Sequence, residues 1–120
     1  MPITRHQIGT RMSQAVICNG IAFLAGQVAH GARGASVHEQ TLDILARIDA
    51  LLAEIGTSKD RLLSATVWLA DIATFNEMNA VWDAWVSKGN TPARACVEAR
   101  LGSPDFTVEI MATAACGANA

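Results

Sequence analysis

The sequence is poor in charge. Charged residues make up 17% of its 120 residues and hydrophobic residues 51%, whereas roughly a quarter of a typical soluble domain is charged. No hydrophobic run approaches the roughly 20 residues that a membrane-spanning helix needs, and the opening MPITRHQIGT lacks the hydrophobic region of a signal peptide. A small domain has much surface per residue. We therefore expect an apolar face that another copy of the chain covers, and no membrane association.

Familiar metal-binding and nucleophilic motifs are missing as well. Cys18, Cys96 and Cys116 form an odd set without metal-ligand spacing, which fits buried thiols in a reducing cytoplasm. The chain has no HExxH, no CxxC pair and no GxSxG. Its net charge of −2 supplies no basic surface for a nucleic acid. These absences predict a cytoplasmic protein without a metal site and argue against a nucleic-acid partner.

The first half of the chain contains a hairpin signal and a helix signal. Asn19 and Gly20 stand between two apolar runs, a pattern typical of a tight β-hairpin. Ser36, with Glu39 three residues later, matches the capping box that begins a helix. Apolar residues then recur at helical spacing up to Gly56, where the helix is expected to end.

The next segment predicts a strand and a second helix. Leu62–Leu69 is a short apolar run rich in strand-forming residues and reads as a buried strand. Thr74 and Glu77 repeat the capping-box spacing. A helix is therefore expected from Thr74 to Gly89, with its tryptophan and methionine side chains packed against a sheet.

Thr91–Ile110 predicts a second β-hairpin, because two alternating runs flank the turn residues at 102–105. In its first strand, the apolar set expected to face the core is Ala93, Ala95, Val97, Ala99 and Leu101. The other face of the hairpin would then carry the polar set Arg94, Cys96, Glu98, Arg100 and Glu109. We expect a functional site on that polar face.

The resulting order is ββ-α-β-α-ββ. It predicts one domain over residues 1–120, an α+β two-layer sandwich in which both helices cover one face of a mixed β-sheet. The opposite face of the sheet would be bare, which again predicts self-association.

Arg94 and Glu109 are the strongest candidates for chemistry. A guanidinium fork suits a carboxylate or phosphate ligand, although a structural arginine paired with a glutamate or capping a helix is an equal alternative. A glutamate in an apolar strand is either paired or active as an acid, a base or a water-positioning group. The expected hairpin register places Glu109 opposite Glu98 and Arg94 opposite Thr113. Arg94 and Glu109 would then lie about 13 Å apart, so a second subunit should supply one of them.

Cys96 lies two residues after Arg94 on the same predicted face. The neighbouring cation could favour its thiolate. The alternative that we prefer is a small residue that lines the site.

Several segments occur in a recognisable order: RMSQAV at 11–16, AGQ at 25–27, the FNEMNAVWDAW helix with Asn79, PARACVE at 92–98 and VEI at 108–110. Together they resemble the RidA/YjgF/UK114 family, closest to its YoaB-like branch. The glutamate fifteen residues after the arginine of PARACVE is the most specific part. The resemblance extends over nearly the whole chain.

The resemblance implies a chorismate-mutase-like fold and a homotrimer with sites between subunits. It also implies a cofactor-free deaminase that hydrolyses 2-iminobutanoate, 2-iminopropanoate and 2-aminoacrylate to 2-keto acids and ammonia. Arg94 would bind the substrate carboxylate and Glu109 would position the attacking water. Gly26, Asn79 and Cys96 would line the cleft.

One departure bears on the activity: Met12 occupies the position of the family's site tyrosine, so a hydroxyl group is lost from the substrate-binding residues. A second hypothesis is therefore a non-catalytic trimeric module that binds small 2-keto acids or other carboxylates. A ribonuclease is a third and weaker one, since the chain lacks a basic stripe and base-stacking aromatic residues on the predicted site face.

Overall fold

A computed structural model describes residues 2–117. Short 3₁₀ turns at His30–Ala32, Lys59–Arg61 and Ile72–Thr74 accompany the main elements. Those elements are, in chain order, β1 (Ile3–Ile8), β2 (Ser13–Cys18), β3 (Ile21–Leu24), β4 (Gln27–Val28), α1 (Val37–Glu54), β5 (Leu62–Leu69), α2 (Phe75–Trp85), β6 (Ala93–Glu98) and β7 (Val108–Ala115).

The strands form one mixed sheet in the order β1-β2-β3-β7-β5-β6, and β4 pairs with β7 just beyond β3. Every pairing is antiparallel except that of β5 with β6. Both helices pack on one face of the sheet, over a core to which α1 contributes Ile44, Leu45 and Ile48. The predicted α+β sandwich is thus confirmed.

The first hairpin and the first helix form where the local signals place them. Asn19 and Gly20 have positive φ angles of 57° and 78°, the conformation that a two-residue turn between twisted strands requires. The Ser36 Oγ accepts a hydrogen bond of 3.2 Å from the Glu39 amide, which satisfies a free donor of the first helical turn.

The capping box predicted for α2 is wrong. The Thr74 hydroxyl donates to the Asp71 carbonyl oxygen at 2.6 Å, so it closes the preceding 3₁₀ turn and does not cap the helix. The Glu77 carboxylate accepts from the His38 amide at 2.9 Å and thereby joins α2 to the start of α1. The helix also ends at Trp85, before Gly89, because Val86 is already extended, with ψ of 142°.

The second predicted hairpin is also wrong, because β6 and β7 are not partners. β5 lies between them and pairs with both. Leu69 stands opposite Glu98, and Ala65 opposite Arg94, in the parallel β5–β6 ladder. The expected pairs Glu98–Glu109 and Arg94–Thr113 therefore do not form. β5 is an almost continuous apolar run, which suits a strand with neighbours on both sides.

The two faces of β6 are reversed relative to the prediction, whereas those of β7 are as predicted. Ala93, Ala95 and Val97 are exposed, and Arg94 and Cys96 turn toward the helices. Alternation along a strand fixes which side chains share a face. It does not fix which face is inside, and here aromatic residues of α2 cover the charged side.

Candidate functional site

Arg94 and Glu109 lie on opposite faces of the sheet. Arg94 stands beside Ala65 of β5, and Glu109 stands beside Trp68 on the other side of the same strand. Ala65 and Trp68 are three residues apart, so their side chains point to opposite faces. With two strand spacings between β6 and β7, the Cα atoms are about 14 Å apart. One chain cannot bring both side chains to the same small molecule.

The Arg94 guanidinium has no anionic partner within residues 2–117. Its carbon Cζ lies 5.0 Å from the ring centre of Trp82 and 6.0 Å from that of Phe75. Its Nη1 contacts the Met78 sulfur at 3.9 Å. The aromatic rings hold the cation in place without neutralising it. Both structural alternatives for Arg94, a glutamate pair and a helix cap, are therefore excluded for the described chain.

Asn79 belongs to the same region. It is one helical turn after Phe75 and lies on the side of α2 that also carries Trp82. Its Oδ1 is buried and accepts no hydrogen bond within the described residues. A buried acceptor without a donor is costly, so this oxygen is a candidate contact for a ligand that reaches Arg94.

Cys96 is half-buried, two residues along β6 from Arg94, and packs against the core. Burial raises the pKa of its thiol, and the positive charge of Arg94 offsets only part of that effect. A protonated thiol is therefore the dominant form at neutral pH. This favours the interpretation of Cys96 as a residue that lines the site, not a nucleophile.

We expect iodoacetamide to modify Cys96 slowly at pH 7, because only the thiolate reacts and the raised pKa keeps its fraction small. The rate should increase about tenfold for each pH unit up to pH 9, as the thiolate fraction grows. Peptide mapping by mass spectrometry separates Cys96 from Cys18 and Cys116. Rapid, pH-independent labelling of Cys96 at neutral pH would contradict this assignment.

Glu109 lies beside a β-bulge. Phe23 pairs with Thr113 and Gln27 with Ile110, so residues 24–26 oppose only residues 111–112 of β7. The extra residue brings the backbone of Gly26 against the Glu109 side chain. A Cβ atom at Gly26 would lie 2.2 Å from Glu109 Oε2, so any other residue here would displace the carboxylate.

No donor hydrogen-bonds the Glu109 carboxylate within residues 2–117. Its surroundings remove water from the carboxylate, and this desolvation raises the pKa of Glu109. A partly buried, unpaired carboxylate with a raised pKa is better suited to accept a proton than an ordinary surface glutamate.

Glu109 and Gly26 line a cleft of about 650 Å³ at the end of the sheet beside α1. Met12 lines the same cleft from the β1–β2 turn and is 55% exposed. Of the six residues predicted to form the site, the structure thus groups Met12, Gly26 and Glu109 in one cleft. It groups Arg94, Cys96 and Asn79 on the other side of the sheet.

Four of the cleft residues that were not singled out from the sequence contact each other in two pairs. His30 and Phe106 meet edge to face, with ring centres 5.5 Å apart, and Gln14 and Gln27 share a hydrogen bond of 2.9 Å. His30 is exposed and also forms part of the cleft wall. Only the Asn19-Gly20 hairpin hinted at the glutamines, because its turn places β2, which carries Gln14, beside β3, which leads to Gln27.

The face of the sheet opposite the helices carries exposed apolar side chains. Phe23 is 50% exposed, Val97 47% and Met111 40%. They come from three different strands, β3, β6 and β7, and so form a broad surface. An uncovered surface of this kind is typical of a subunit interface.

Neither a membrane span nor a metal cluster is found in residues 2–117. No helix there combines the length and the hydropathy needed to cross a bilayer. No group of three or more histidine, cysteine, aspartate or glutamate side chains converges there as a metal site would require.

Comparison with known proteins gives consistent matches. The family model described as Endoribonuclease L-PSP matches residues 4–116. A RutC family protein of Haemophilus ducreyi is 47% identical over 113 residues, which cover 94% of this chain and 96% of that protein. The RutC family protein YoaB of Escherichia coli K12 is 41% identical over 115 residues, 96% of this chain and 99% of YoaB. The crystal structure of a YjgF family member from Neisseria meningitidis is 48% identical, covers 98% of each chain and superposes with a TM-score of 0.94.

Proposed function

The chain belongs to the YjgF/RidA family, and from this premise we propose that it hydrolyses small, reactive 2-imino acids and their enamine tautomers to 2-keto acids and ammonia. The observation that carries the proposal is a pair of unsatisfied charges. Arg94 has no anionic partner, and Glu109 has no donor, within the described residues. A carboxylate-bearing electrophile that is attacked by water would use both.

The proposed site combines two chains. Because Arg94 and Glu109 lie on opposite faces of one sheet, a shared substrate needs Arg94 of one chain and Glu109 of its neighbour. Burial of the apolar sheet face with Phe23, Val97 and Met111 would stabilise the association of the chains. We propose a homotrimer, in which a closed ring gives every chain one neighbour on each side.

The chemistry would proceed by addition of water. Arg94 binds the substrate carboxylate through its fork, which fixes the position of the imine carbon. Glu109 accepts a proton from the attacking water as its oxygen bonds to that carbon. For the protonated imine, the resulting carbinolamine takes that proton on nitrogen and then loses its hydroxyl proton to Glu109 as the C–N bond breaks, which releases ammonia and leaves the carbonyl group of the 2-keto acid. Water is the only co-reactant, and no cofactor is needed for these steps.

A second candidate is a non-catalytic module that binds small 2-keto acids. It is favoured by Met12, whose thioether cannot donate a hydrogen bond to a substrate or a water. Calorimetric titration with 2-oxobutanoate separates the two functions. Binding without imine turnover would support the module.

We do not propose ribonuclease activity, although the description of the family model mentions it. The chain has nine basic residues against eleven acidic ones. Arg47, which lines the cleft with Glu109, is already paired with Asp43 at 2.7 Å. The charge pattern thus lacks the basic stripe that follows a nucleic-acid backbone.

The decisive assay generates 2-aminoacrylate from serine with a serine dehydratase and follows the formation of pyruvate. We expect the protein to accelerate the hydrolysis of the released intermediate and Arg94→Ala to remove the acceleration. No acceleration by the wild type would refute the deaminase, and equal acceleration by wild type and Arg94→Ala would refute the role of Arg94.

A further inference from the structure

Gln14 and Gln27 form an ordered pair inside the cleft. Gln27 Nε2 donates to Gln14 Oε1 at 2.9 Å and to the Ala25 carbonyl oxygen at 3.0 Å. The Ala25 amide in turn donates to the Gln14 carbonyl oxygen at 2.9 Å. Gln14 is therefore held through its backbone and through its side chain.

These contacts fix the direction of both amide groups. A backbone carbonyl can only accept, so the Gln27 atom that faces Ala25 must be the donor Nε2. The same Nε2 also donates to Gln14, so the Gln14 atom that accepts this hydrogen bond must be Oε1. The Gln14 Nε2, with two protons to donate, has no acceptor within residues 2–117.

The free amide belongs to a residue of the cleft that holds the proposed reaction centre. Ala25, which holds Gln27, directly precedes Gly26, and Gly26 lies against the Glu109 carboxylate. Gln14 lines the same cleft as these residues. Met12 lines the cleft as well but cannot donate a hydrogen bond, so Gln14 supplies an oriented donor to the cleft.

The cleft of the single chain has room for a substrate longer than 2-aminoacrylate. Its volume of about 650 Å³ is within the range of pockets that hold drug-sized ligands. A three-carbon or four-carbon imino acid would occupy a small part of it. The remainder can accept a side chain that extends from the imine carbon toward Gln14.

We propose that Gln14 is a specificity-determining residue and that the preferred substrates are 2-imino acids whose side chain ends in a neutral hydrogen-bond acceptor. This inference rests on the proposed function. The physical reason is differential desolvation: an apolar side chain would leave the Gln14 amide without a partner, whereas an acceptor satisfies it.

The test uses two substrates that differ by one oxygen atom. An L-amino-acid oxidase converts methionine and methionine sulfoxide to their 2-imino acids, and hydrolysis is followed as the loss of imine that semicarbazide can trap. We expect kcat/KM of the wild type to favour the sulfoxide by about tenfold, the value of one modest hydrogen bond. Gln14→Met, which is similar in size but has no amide, should reduce that ratio to about one.

Gln14→Glu is the matched second variant. It keeps an acceptor for Gln27 and replaces the free donor with another acceptor, so the ratio should fall below one. Thermal unfolding of each variant shows whether it is folded. A wild-type enzyme that treats the two imines alike, or a Gln14→Met variant that retains the preference, would overturn the proposal.

Failure of the proposed activity gives a different result. If the wild type hydrolyses neither these imines nor 2-aminoacrylate, the deaminase is refuted. Calorimetry with the two corresponding 2-oxo acids then tests Gln14 directly. Tighter binding of the sulfoxide that is lost in Gln14→Met upholds the role of Gln14, and equal binding refutes it.

Discussion

Arg94→Ala chains and Glu109→Gln chains, each nearly inactive alone, should regain about a quarter of the wild-type imine hydrolase activity when equal amounts are unfolded and refolded together. Each single variant removes one of the two groups from every site, and we expect kcat/KM to fall by about 100-fold or more. In a mixed ring, however, a Glu109→Gln chain still offers its Arg94 and an Arg94→Ala chain still offers its Glu109. One contact in four then joins two intact residues, if the chains mix at random in a closed ring.

This experiment distinguishes a shared site from a site within one chain. If Arg94 and Glu109 act together in the same chain, every mixed oligomer lacks a complete site and activity stays at the level of the single variants. A matched control mixes Arg94→Ala chains with chains that carry both substitutions, which must give no recovery. Light scattering of the mixtures verifies that they have the same mass as the wild-type assembly.

Gly26→Ala should lower kcat/KM for 2-aminoacrylate by about 100-fold, comparable with the loss of a well-placed catalytic group. The added Cβ would lie 2.2 Å from Glu109 Oε2, far inside van der Waals contact, so the carboxylate must rotate away from its position. Gly26 has no positive φ angle, so backbone conformation does not explain the effect. Steady-state kinetics, with circular dichroism to verify folding, would measure it.

Gly102→Ala is the matched control for this substitution. Gly102 lies at the rim of the same cleft, but a Cβ atom there meets nothing within 4 Å, and we expect kcat/KM to stay within about twofold. The double variant Gly26→Ala, Glu109→Asp should recover part of the lost activity, because the shorter acid withdraws from the added methyl group. Wild-type kinetics in Gly26→Ala would show that the position of Glu109 is irrelevant.

Most of the fold follows from local signals in the sequence. The Asn19-Gly20 turn needs only its own backbone preferences, and the start of α1 needs only Ser36 and the first helical turn. Such features depend on a few neighbouring residues, so the same physics acts in a peptide and in the folded chain. The packing of both helices on one face then follows from their apolar stripes.

The errors concern long-range pairing. The alternation at 93–98 and 108–115 correctly marks two strands, but it contains no information about which strand lies next to which. The insertion of β5 between them depends on how all the strands fit under two helices. The burial of Arg94 likewise depends on Trp82 and Phe75, which are distant in sequence and cover the charge only after α2 has packed.

The sequence was sufficient to predict which residues belong to the candidate site, but not how they are arranged in space. Arg94 and Glu109 were identified by residue type and by family resemblance, and the expectation that they need two chains stays a proposal. The hairpin register predicted from the sequence is wrong, and the proposal now rests on the placement of the two residues on opposite faces of the sheet. The function of Gly26 becomes visible only with the bulge, because the close approach to Glu109 depends on one unpaired residue between β3 and β4.

The placement of Arg94 and Glu109 on opposite faces also determines how damage would spread through the proposed ring. A chain that has lost one of these residues spoils a single site, and its remaining residue still serves a neighbour. A chain that has lost both residues inactivates two sites, one shared with each of its neighbours. Each neighbour still contributes an intact residue to the site that it shares with the defective chain. In a cell that expresses wild-type and doubly defective copies together, the fraction of sites lost would therefore exceed the fraction of defective chains.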